Sequence, residues 1–459
     1  MDGATSQNIS FDQLVEDHPE EGVFRVHRDV YLDPVLYELE MARIFESTWV
    51  FIGLASEVEQ PHDYMTRNIG RQPVIIMRDQ QGKLGGFLNT CRHKGLKLCP
   101  LGSGNRQFHA CPYHGWTYDS GGNNVSIPAQ SSGQYPEVFE QADHGLVPIA
   151  RFDSYRGFLF GSLSADVPTL YEHLGEARQL LDLIADQAPN GLEYVSGGST
   201  YTYDGNWKLQ FENGLDAYHF ATTHAAFVDI VMQRTPRAVP EHIQAYSDPA
   251  DGVVAGTVSF PRGHAMSWSR GAPGQEPAAR PLPYDRENFE AVKNQVGDDR
   301  LSWMLRQRNL TIFPNLQIID IQSLQVRTWE PLAADKTRMV SHCLAPKGES
   351  AEARRFRIRQ YEEFFNTGGL ASSDDNIMYE LCQAGLVATA AGVPQSVSRG
   401  MTAPGPEPDQ YAGLDFQQAR VTASPAGLAF GDETGMHAGY REWLRLMKAG
   451  ESAVEQPTR

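Results

Sequence analysis

The chain has 459 residues, enough for two or three domains with buried cores, and its 41% hydrophobic and 21% charged residues, with 42 Gly and 28 Pro, exclude disordered, collagenous and coiled-coil classes. Lys and Arg number 39 against 57 Asp and Glu, and the net charge of −18 repels phosphate backbones and anionic lipid surfaces, so neither nucleic acid nor a membrane is expected as a partner. Residues 1–22 are polar and acidic, no run of about 18 apolar residues follows, and the expected location is the cytoplasm.

Asp33-Pro34 ahead of Tyr37, Met41, Ile44 and Phe45 predicts an amphipathic helix. Asp caps it, Pro takes the first helical position, and the apolar residues fall at i, i+4, i+7 and i+8. Runs rich in Val, Ile and Phe at 49–54, 73–78 and 86–90 are separated by turn clusters such as Asp79-Gln80-Gln81-Gly82, which predicts a small all-β unit over residues 45–165. Beyond it Leu174, Ala177, Leu181 and Ile184 keep helical spacing, and residues 199–203 predict a strand. Residues 309–329 form the longest β-rich stretch, broken at Phe313-Pro314-Asn315. A helix is predicted over 356–365, a Pro/Gly/Ser-rich run over a surface or a neighbouring subunit at 390–411, and a last helix around Tyr440, Trp443, Leu444 and Met447. This mixture is α+β: a small all-β domain and a larger one built on a largely antiparallel sheet with helices. Gly102-Ser103-Gly104 lacks a third glycine and no GxxxxGK[ST] occurs, so the chain is not expected to bind NAD(P)H or ATP itself.

The five cysteines, odd in number and thinly spread, do not form a disulfide framework. Two of them sit in paired loops, Cys91-Arg92-His93-Lys94-Gly95 and Cys111-Pro112-Tyr113-His114-Gly115-Trp116. Each loop offers one thiolate and one imidazole. A Rieske centre holds one iron on two Cys and the other on two His, and C-x-H with C-x-x-H supplies that set. The glycines permit tight turns that aim backbone N–H groups at the cluster sulfurs, and Trp116 can shield the site. A Cys₂His₂ zinc site uses the same ligands, although zinc fingers place both Cys in one loop. Cys99 and His109 lie off the spacing and read as bystanders.

The run from Asn206-Trp207-Lys208 through Glu212, Asn213, Asp216 and His219 to His224 carries a second constellation. On a continuous helix Glu212, Asp216 and His219 share a face. His224 is five residues after His219, an offset of about 140°, so convergence on one metal needs a helix end or distortion between them. A non-haem Fe(II) oxygenase holds its metal on two His and one carboxylate. Ser373-Asp374-Asp375-Asn376 is the candidate source of that carboxylate, with a helix N-cap as the plain alternative.

These residues in this order resemble the large subunit of Rieske non-haem iron ring-hydroxylating oxygenases over almost the whole chain. The branch acting on aromatic acids, such as benzoate, toluate, anthranilate and 2-halobenzoate, is the most similar. Tyr155-Arg156-Gly157-Phe158-Leu159-Phe160-Gly161, Thr202-Tyr203-Asp204-Gly205-Asn206-Trp207-Lys208 and Arg359-Gln360-Tyr361-Glu362-Glu363-Phe364-Phe365-Asn366 are among the matching segments. The resemblance implies an N-terminal helical segment, 1–44, packing on the catalytic domain; a Rieske domain, 45–165; and a catalytic iron domain of helix-grip type, 166–459. It makes Cys91, His93, Cys111 and His114 the [2Fe–2S] ligands and His219, His224 and Asp375 the ligands of a mononuclear Fe(II). The resemblance favours Asp375 over Asp374, because Gln383 follows Asp375 by eight residues as the family's corresponding Gln follows its ligand. Asp216 becomes the carboxylate that links a cluster His of one subunit to an iron His of the next. Phe211, Leu215, Phe220 and Phe227 either line the substrate side or pack helices, and Arg270 either pairs with a substrate carboxylate or is a plain surface arginine.

The implied activity is hydroxylation of an aromatic acid with O₂ to a cis-dihydrodiol or catechol-type product. NAD(P)H enters only through a partner reductase, with or without a ferredoxin, and the implied assembly is α3 or α3β3 with a small β subunit. A monooxygenase with the same metals, of salicylate hydroxylase or demethylase type, and a Rieske electron carrier are the rival readings. Two departures bear on substrate and donor: Ala225-Ala226-Phe227 stands where larger residues are usual, and Lys94 replaces an Arg beside the first cluster His.

Overall fold

The computed structural model describes residues 10–235, 238–246, 253–270, 280–388, 394–403, 405, 411–425 and 431–449. Its contacts divide into two compact units, Phe45–His173 and the combination of Met1–Ile44 with Leu174–Arg459.

The Phe45–His173 unit is all-antiparallel. Leu84–Leu88, Gln72–Arg78, Asp63–Ile69 and Ser103–Asn105 make one sheet; Asn124–Ser126, Thr117–Asp119 and Phe108–Ala110 a second; Arg151–Tyr155, Phe158–Ser162 and Val50–Leu54 a third. The three β-rich runs read from sequence lie in these sheets. Val74, Ile75, Ile76 and Met77 are all buried, as a strand flanked on both sides demands. Tyr64, Ile75, Met77, Leu98, Trp116, Tyr118, Ile127 and Leu146 close around Cys91 and Cys111.

The other unit is built on a nine-stranded antiparallel sheet. Leu192–Tyr194 and Ser199–Tyr203 both pair with Lys336–Pro346, and the order continues through Leu324–Ala333, Leu316–Asp320, Gln307–Ile312, Ala265–Ser269, Val253–Ser259 and Arg420–Pro425. The 309–329 stretch therefore holds parts of three strands, and its Phe313-Pro314 break is a cis turn between two of them. The helix Leu370–Leu386 packs against the helix Trp207–Asn213 and the strand Ser199–Tyr203. Thr311, Gln317, Arg327 and Ser341 are directly opposed across four strands and form one row on one face.

The N-terminal segment groups with this unit, and its helix starts where the sequence signals specify. Asp33 accepts from the Val35 amide at 2.6 Å and Pro34 opens the helix Pro34–Glu40. At its end the buried Glu40 accepts from Lys208 Nζ (2.5 Å), Trp207 Nε1 (2.8 Å) and Trp443 Nε1 (2.6 Å), tying three helices to one carboxylate. Lys208 and Glu40 are each 1% exposed, so each charge depends on the other. Trp443 lies on the last helix, Thr434–Ala449, as predicted. Of the 390–411 run, Gln395–Ser396 pairs with Val23–Val26 in a small sheet, and much of the rest lies outside the described residues. None of the described helices is long and apolar enough to cross a membrane.

Candidate metal centres

The two Cys-His loops are built alike. The Cys91 amide donates to the Leu96 carbonyl and the Gly95 amide returns to the Cys91 carbonyl at 3.0 Å; Cys111 with Trp116, and Gly115 with Cys111 at 2.9 Å, repeat the pattern. Each closure needs a left-handed residue, supplied by Gly95 at φ +70° and Gly115 at φ +73°. The amides of these two glycines are therefore spent on cysteine carbonyls rather than on sulfur. Cys91 and Cys111 are buried while His93 is exposed and His114 half-buried. The two imidazoles face each other with ring centroids 4.4 Å apart, and Trp116 stacks on His93 at 5.1 Å, nearly parallel. Two inner thiols and two outer imidazoles, one of each per loop, fit the Cys₂ and His₂ irons of a Rieske cluster. The Tyr118 hydroxyl lies 3.5 Å from Cys91 Sγ and accepts from the Arg92 amide.

Cys99 and His109 form a buried pair of their own, Sγ to Nδ1 3.0 Å. Burial pushes the thiol up to about 11 and the imidazole down to about 4, so both are neutral at pH 7.

The second site is assembled from distant segments. The helix Trp207–Asn213 ends before Asp216, so Glu212, Asp216 and His219 do not share the expected helical face. A Cβ on Gly214 would fall 1.6 Å from Gln317 Nε2; this close approach of the sheet explains the glycine at the helix end. Glu212 turns instead to the Tyr31 and Tyr440 hydroxyls, and burial pushes its carboxyl up to about 7. His219 closes the short turn Ala217–His219, and His224 stands between two short helices at φ −104°, ψ 30°. These breaks are the distortion that the five-residue spacing requires.

His219, His224 and Asp375 bring one ligand atom each to within 4.8 Å of one another. Asp375 lies inside the helix Leu370–Leu386, whose N-cap is Gly369, so neither Asp374 nor Asp375 is the cap. Asp375 Oδ1 is 3.1 Å from His224 Nε2 and 3.7 Å from His219 Nε2. The other ring nitrogens face carboxylates on the far side: His219 Nδ1 meets Asp216 Oδ1 at 2.6 Å and His224 Nδ1 meets Asp374 Oδ2 at 3.4 Å. With a metal bound, a proton held at each Nδ1 would leave each Nε2 lone pair for the metal. Burial opposes the His219 imidazolium, but the Asp216 hydrogen bond and charge overcome it and hold the metal-free ring up at about 9. Asp216 is itself pushed up to about 6, by burial against the pull of His219. Burial also favours the neutral acid at Asp375, yet the His224 hydrogen bond and the charges of His224, Arg327 and His219 hold it below the usual carboxylate range. Two imidazoles and one ionised carboxylate on one side of a point fit the donor set of a non-haem Fe(II) site.

Of the four apolar candidates, Phe220 reaches this centre and Phe227 lies behind it. Phe220 lies 5.6 Å from the His224 ring and 6.3 Å from Phe227, and Phe364, which sequence reasoning missed, lies 5.6 Å from His224 and 4.4 Å from Phe227. Phe211 packs among Trp207, Phe313 and Tyr440, and Leu215 lies beneath Gly435, so these two belong to helix packing. Ala225 and Ala226 are exposed, leaving Phe227 as the buried residue of that trio. Arg270 is half-buried at the end of Ala265–Ser269. Asn213 was also missed as a site residue: its Nδ2 donates to Asp375 Oδ1 at 3.1 Å and lies 3.3 Å from His219 Nε2.

Comparison with known proteins agrees with both centres. Residues 48–148 match the Rieske [2Fe–2S] domain, and residues 192–449 match the catalytic domain of the ring hydroxylating alpha subunit. The chain is 41% identical to the toluate 1,2-dioxygenase subunit alpha of Pseudomonas putida over 85% of this chain and 84% of the relative. It is 38% identical to the 2-halobenzoate 1,2-dioxygenase large subunit of Burkholderia cepacia over 98% and 94%. A crystal structure of naphthalene 1,2-dioxygenase from Rhodococcus sp. bound to indole superposes with a TM-score of 0.78 at 25% identity, over 94% of this chain and 95% of that one. The chain belongs to the Rieske non-haem iron ring-hydroxylating oxygenases, as an alpha subunit related to the aromatic-acid 1,2-dioxygenases. It is an oxidoreductase that uses O₂, a Rieske cluster and mononuclear iron on an aromatic substrate.

Proposed function

We propose that the substrate is an aromatic carboxylic acid of the benzoate, anthranilate or salicylate type, hydroxylated at adjacent ring positions to a cis-dihydrodiol or catechol-type product. The observation that carries this reading is the convergence of His219, His224 and Asp375 beside the Phe220, Phe227 and Phe364 rings, in a chain related to toluate and 2-halobenzoate dioxygenases. Cys91, His93, Cys111 and His114 hold the cluster, and His219, His224 and Asp375 hold the iron. When bound, the cluster stores one electron and the iron gives O₂ a place to be reduced beside the ring. Asp216 orients His219 through Nδ1, and in this reading it couples His219 to a cluster His of a neighbouring subunit. Asp374 does the same positioning for His224. Asn213 holds Asp375 Oδ1, and the three rings exclude water from one side of the centre.

The catalytic domain is of helix-grip type, with domain limits at 1–44, 45–165 and 166–459. A reductase, with or without a ferredoxin, supplies electrons drawn from NAD(P)H; the assembly is α3 or α3β3 with a small β subunit, in the cytoplasm. Single turnover of the pre-reduced protein with benzoate, anthranilate and salicylate under ¹⁸O₂ tests the reaction. Two labelled oxygens in one ring product support dioxygenation, after allowance for oxygen lost on rearomatisation. One label in a simple phenol overturns it in favour of monooxygenation, and absence of product from an iron-replete site overturns the aromatic-acid assignment.

A further inference from the structure

Arg327 carries a charge into the interior beside the iron site. It lies on Leu324–Ala333 and its side chain is 3% exposed. Nη2 donates to Ser372 Oγ at 2.8 Å, while Nη1 stands 4.0 Å from Asp375 Oδ2, beyond hydrogen-bond reach. Nε has no hydrogen-bond partner among the described residues. Its other electrostatic neighbours, Tyr201, Tyr361 and Tyr379, are phenols that burial holds neutral. Asp375 turns its Oδ1 to the two histidines and Asn213, so its hydrogen bonds go there and not to Arg327. The buried guanidinium thus keeps one unused N–H and has no carboxylate in hydrogen-bond contact, an arrangement that an added carboxylate would satisfy.

The sheet register sets Arg327 beside aromatic surface. Arg327 belongs to the row Thr311, Gln317, Arg327 and Ser341, and Gln317 reaches the Gly214 end of the helix that precedes the iron site. One step along the same strands and on the same face, Ile319, Gln325 and Cys343 form the next row. Ile319 and Cys343 pack in the apolar cluster with Phe227, Phe364 and Phe365. Charge and aromatic surface are therefore adjacent, with the triad beside both.

We propose that Arg327 binds the carboxylate of the aromatic acid and, by anchoring it there, decides which ring carbons face the His219–His224–Asp375 triad. This rests on the aromatic-acid reading. Ser372 holds one arm of the fork in place, and the substrate carboxylate takes the unpaired side.

Isothermal titration of the iron-replete, cluster-intact protein with benzoate and its neutral isostere benzamide separates the two readings. The unaltered protein is expected to bind benzoate about tenfold or more tighter than benzamide, and Arg327→Gln to lose about a hundredfold for benzoate with little change for benzamide. Iron content and the visible spectrum of the cluster should be unchanged. Equal benzoate affinity in the unaltered protein and Arg327→Gln overturns the role of Arg327 and leaves the aromatic-acid reading standing. Failure of the unaltered protein to prefer benzoate, anthranilate or salicylate over benzamide overturns that reading itself. Should Arg327→Gln lose its iron, Arg327→Lys decides, because it keeps the charge without the planar fork. Benzoate binding weakened about tenfold, with benzamide unchanged, supports the anchor; unchanged benzoate binding overturns it.

Discussion

The cluster loops and the iron site use donors of similar chemistry and reach them by opposite routes. Cys91 to His114 is one short stretch of chain whose two loops repeat the same backbone closure, so the donors are placed by local hydrogen bonds and two left-handed glycines. His224 and Asp374 are 150 residues apart, and the triad exists only because the helix Leu370–Leu386 lies beside Trp207–Asn213 over the sheet. A site made of loops tolerates change elsewhere in the chain, whereas a site made of packing inherits every weakness of the packing.

Four substitutions test that contrast. The largest effect is expected from Asp375→Ala, which should abolish iron binding and reduce turnover to background while the visible spectrum of the cluster persists. Bleaching of the spectrum in that variant would show that the two centres do not assemble independently. Asp374→Ala should keep iron and lose about 10- to 100-fold in metal affinity or turnover, since it removes an orienting partner and not a ligand. Metal analysis of the two variants side by side also tests the choice between the adjacent aspartates. Glu40→Gln leaves Lys208 buried without a counter-charge and should cost about 3 kcal/mol, read as a lower melting temperature by tryptophan fluorescence. Cluster bleaching should keep its own midpoint; a joint shift would break the comparison.

The smallest effect expected is at Glu212. Its carboxyl holds a proton in the fold up to about pH 7, whereas the unfolded chain releases it near the ordinary value of 4.5. Folding takes up a proton between those limits, so stability falls as pH rises from about 4.5 through 7 and the loss is complete above 7. Glu212→Gln removes that loss and should raise the melting temperature relative to the unaltered protein more at pH 8 than at pH 5. An equal difference at both pH values would mean that Glu212 titrates normally.

The same division governs what could be read from sequence. Asp33-Pro34 announced its helix because cap and first turn are local, and the paired Cys-His loops announced their chemistry for the same reason. The offset between His219 and His224 correctly demanded a break, which falls at the short helical segments around the two histidines, but the earlier helix end at Gly214, where Gln317 of a remote strand approaches, left no local signal. Periodicity alone extended the helix and gave Glu212 the wrong neighbours. Gln383 pointed to Asp375, and in the fold it accepts from the Asn206 amide, fixing the helix that carries both residues against the run that carries the histidines. Phe364 and Arg327 were invisible for want of register: an aromatic in a helix end and an arginine in a β-rich run acquire meaning only once the strand rows are known. The available signal was the charge itself, set among Leu324, Val326 and Trp329, all of which are buried.

Glu40 has a further consequence, which concerns biosynthesis. Its two tryptophan partners lie 167 and 403 residues further along the chain. Translation therefore delivers Glu40 before the contiguous Phe45–His173 segment, and the tryptophan that completes the Glu40 contact well after it. The cluster-bearing segment can fold as soon as it emerges, at about 5–20 residues per second of translation. Until residue 443 is made, the Glu40 carboxylate has Lys208 and Trp207 but lacks its third donor. A nascent chain arrested before residue 443 should accordingly carry a protease-resistant middle between two sensitive ends.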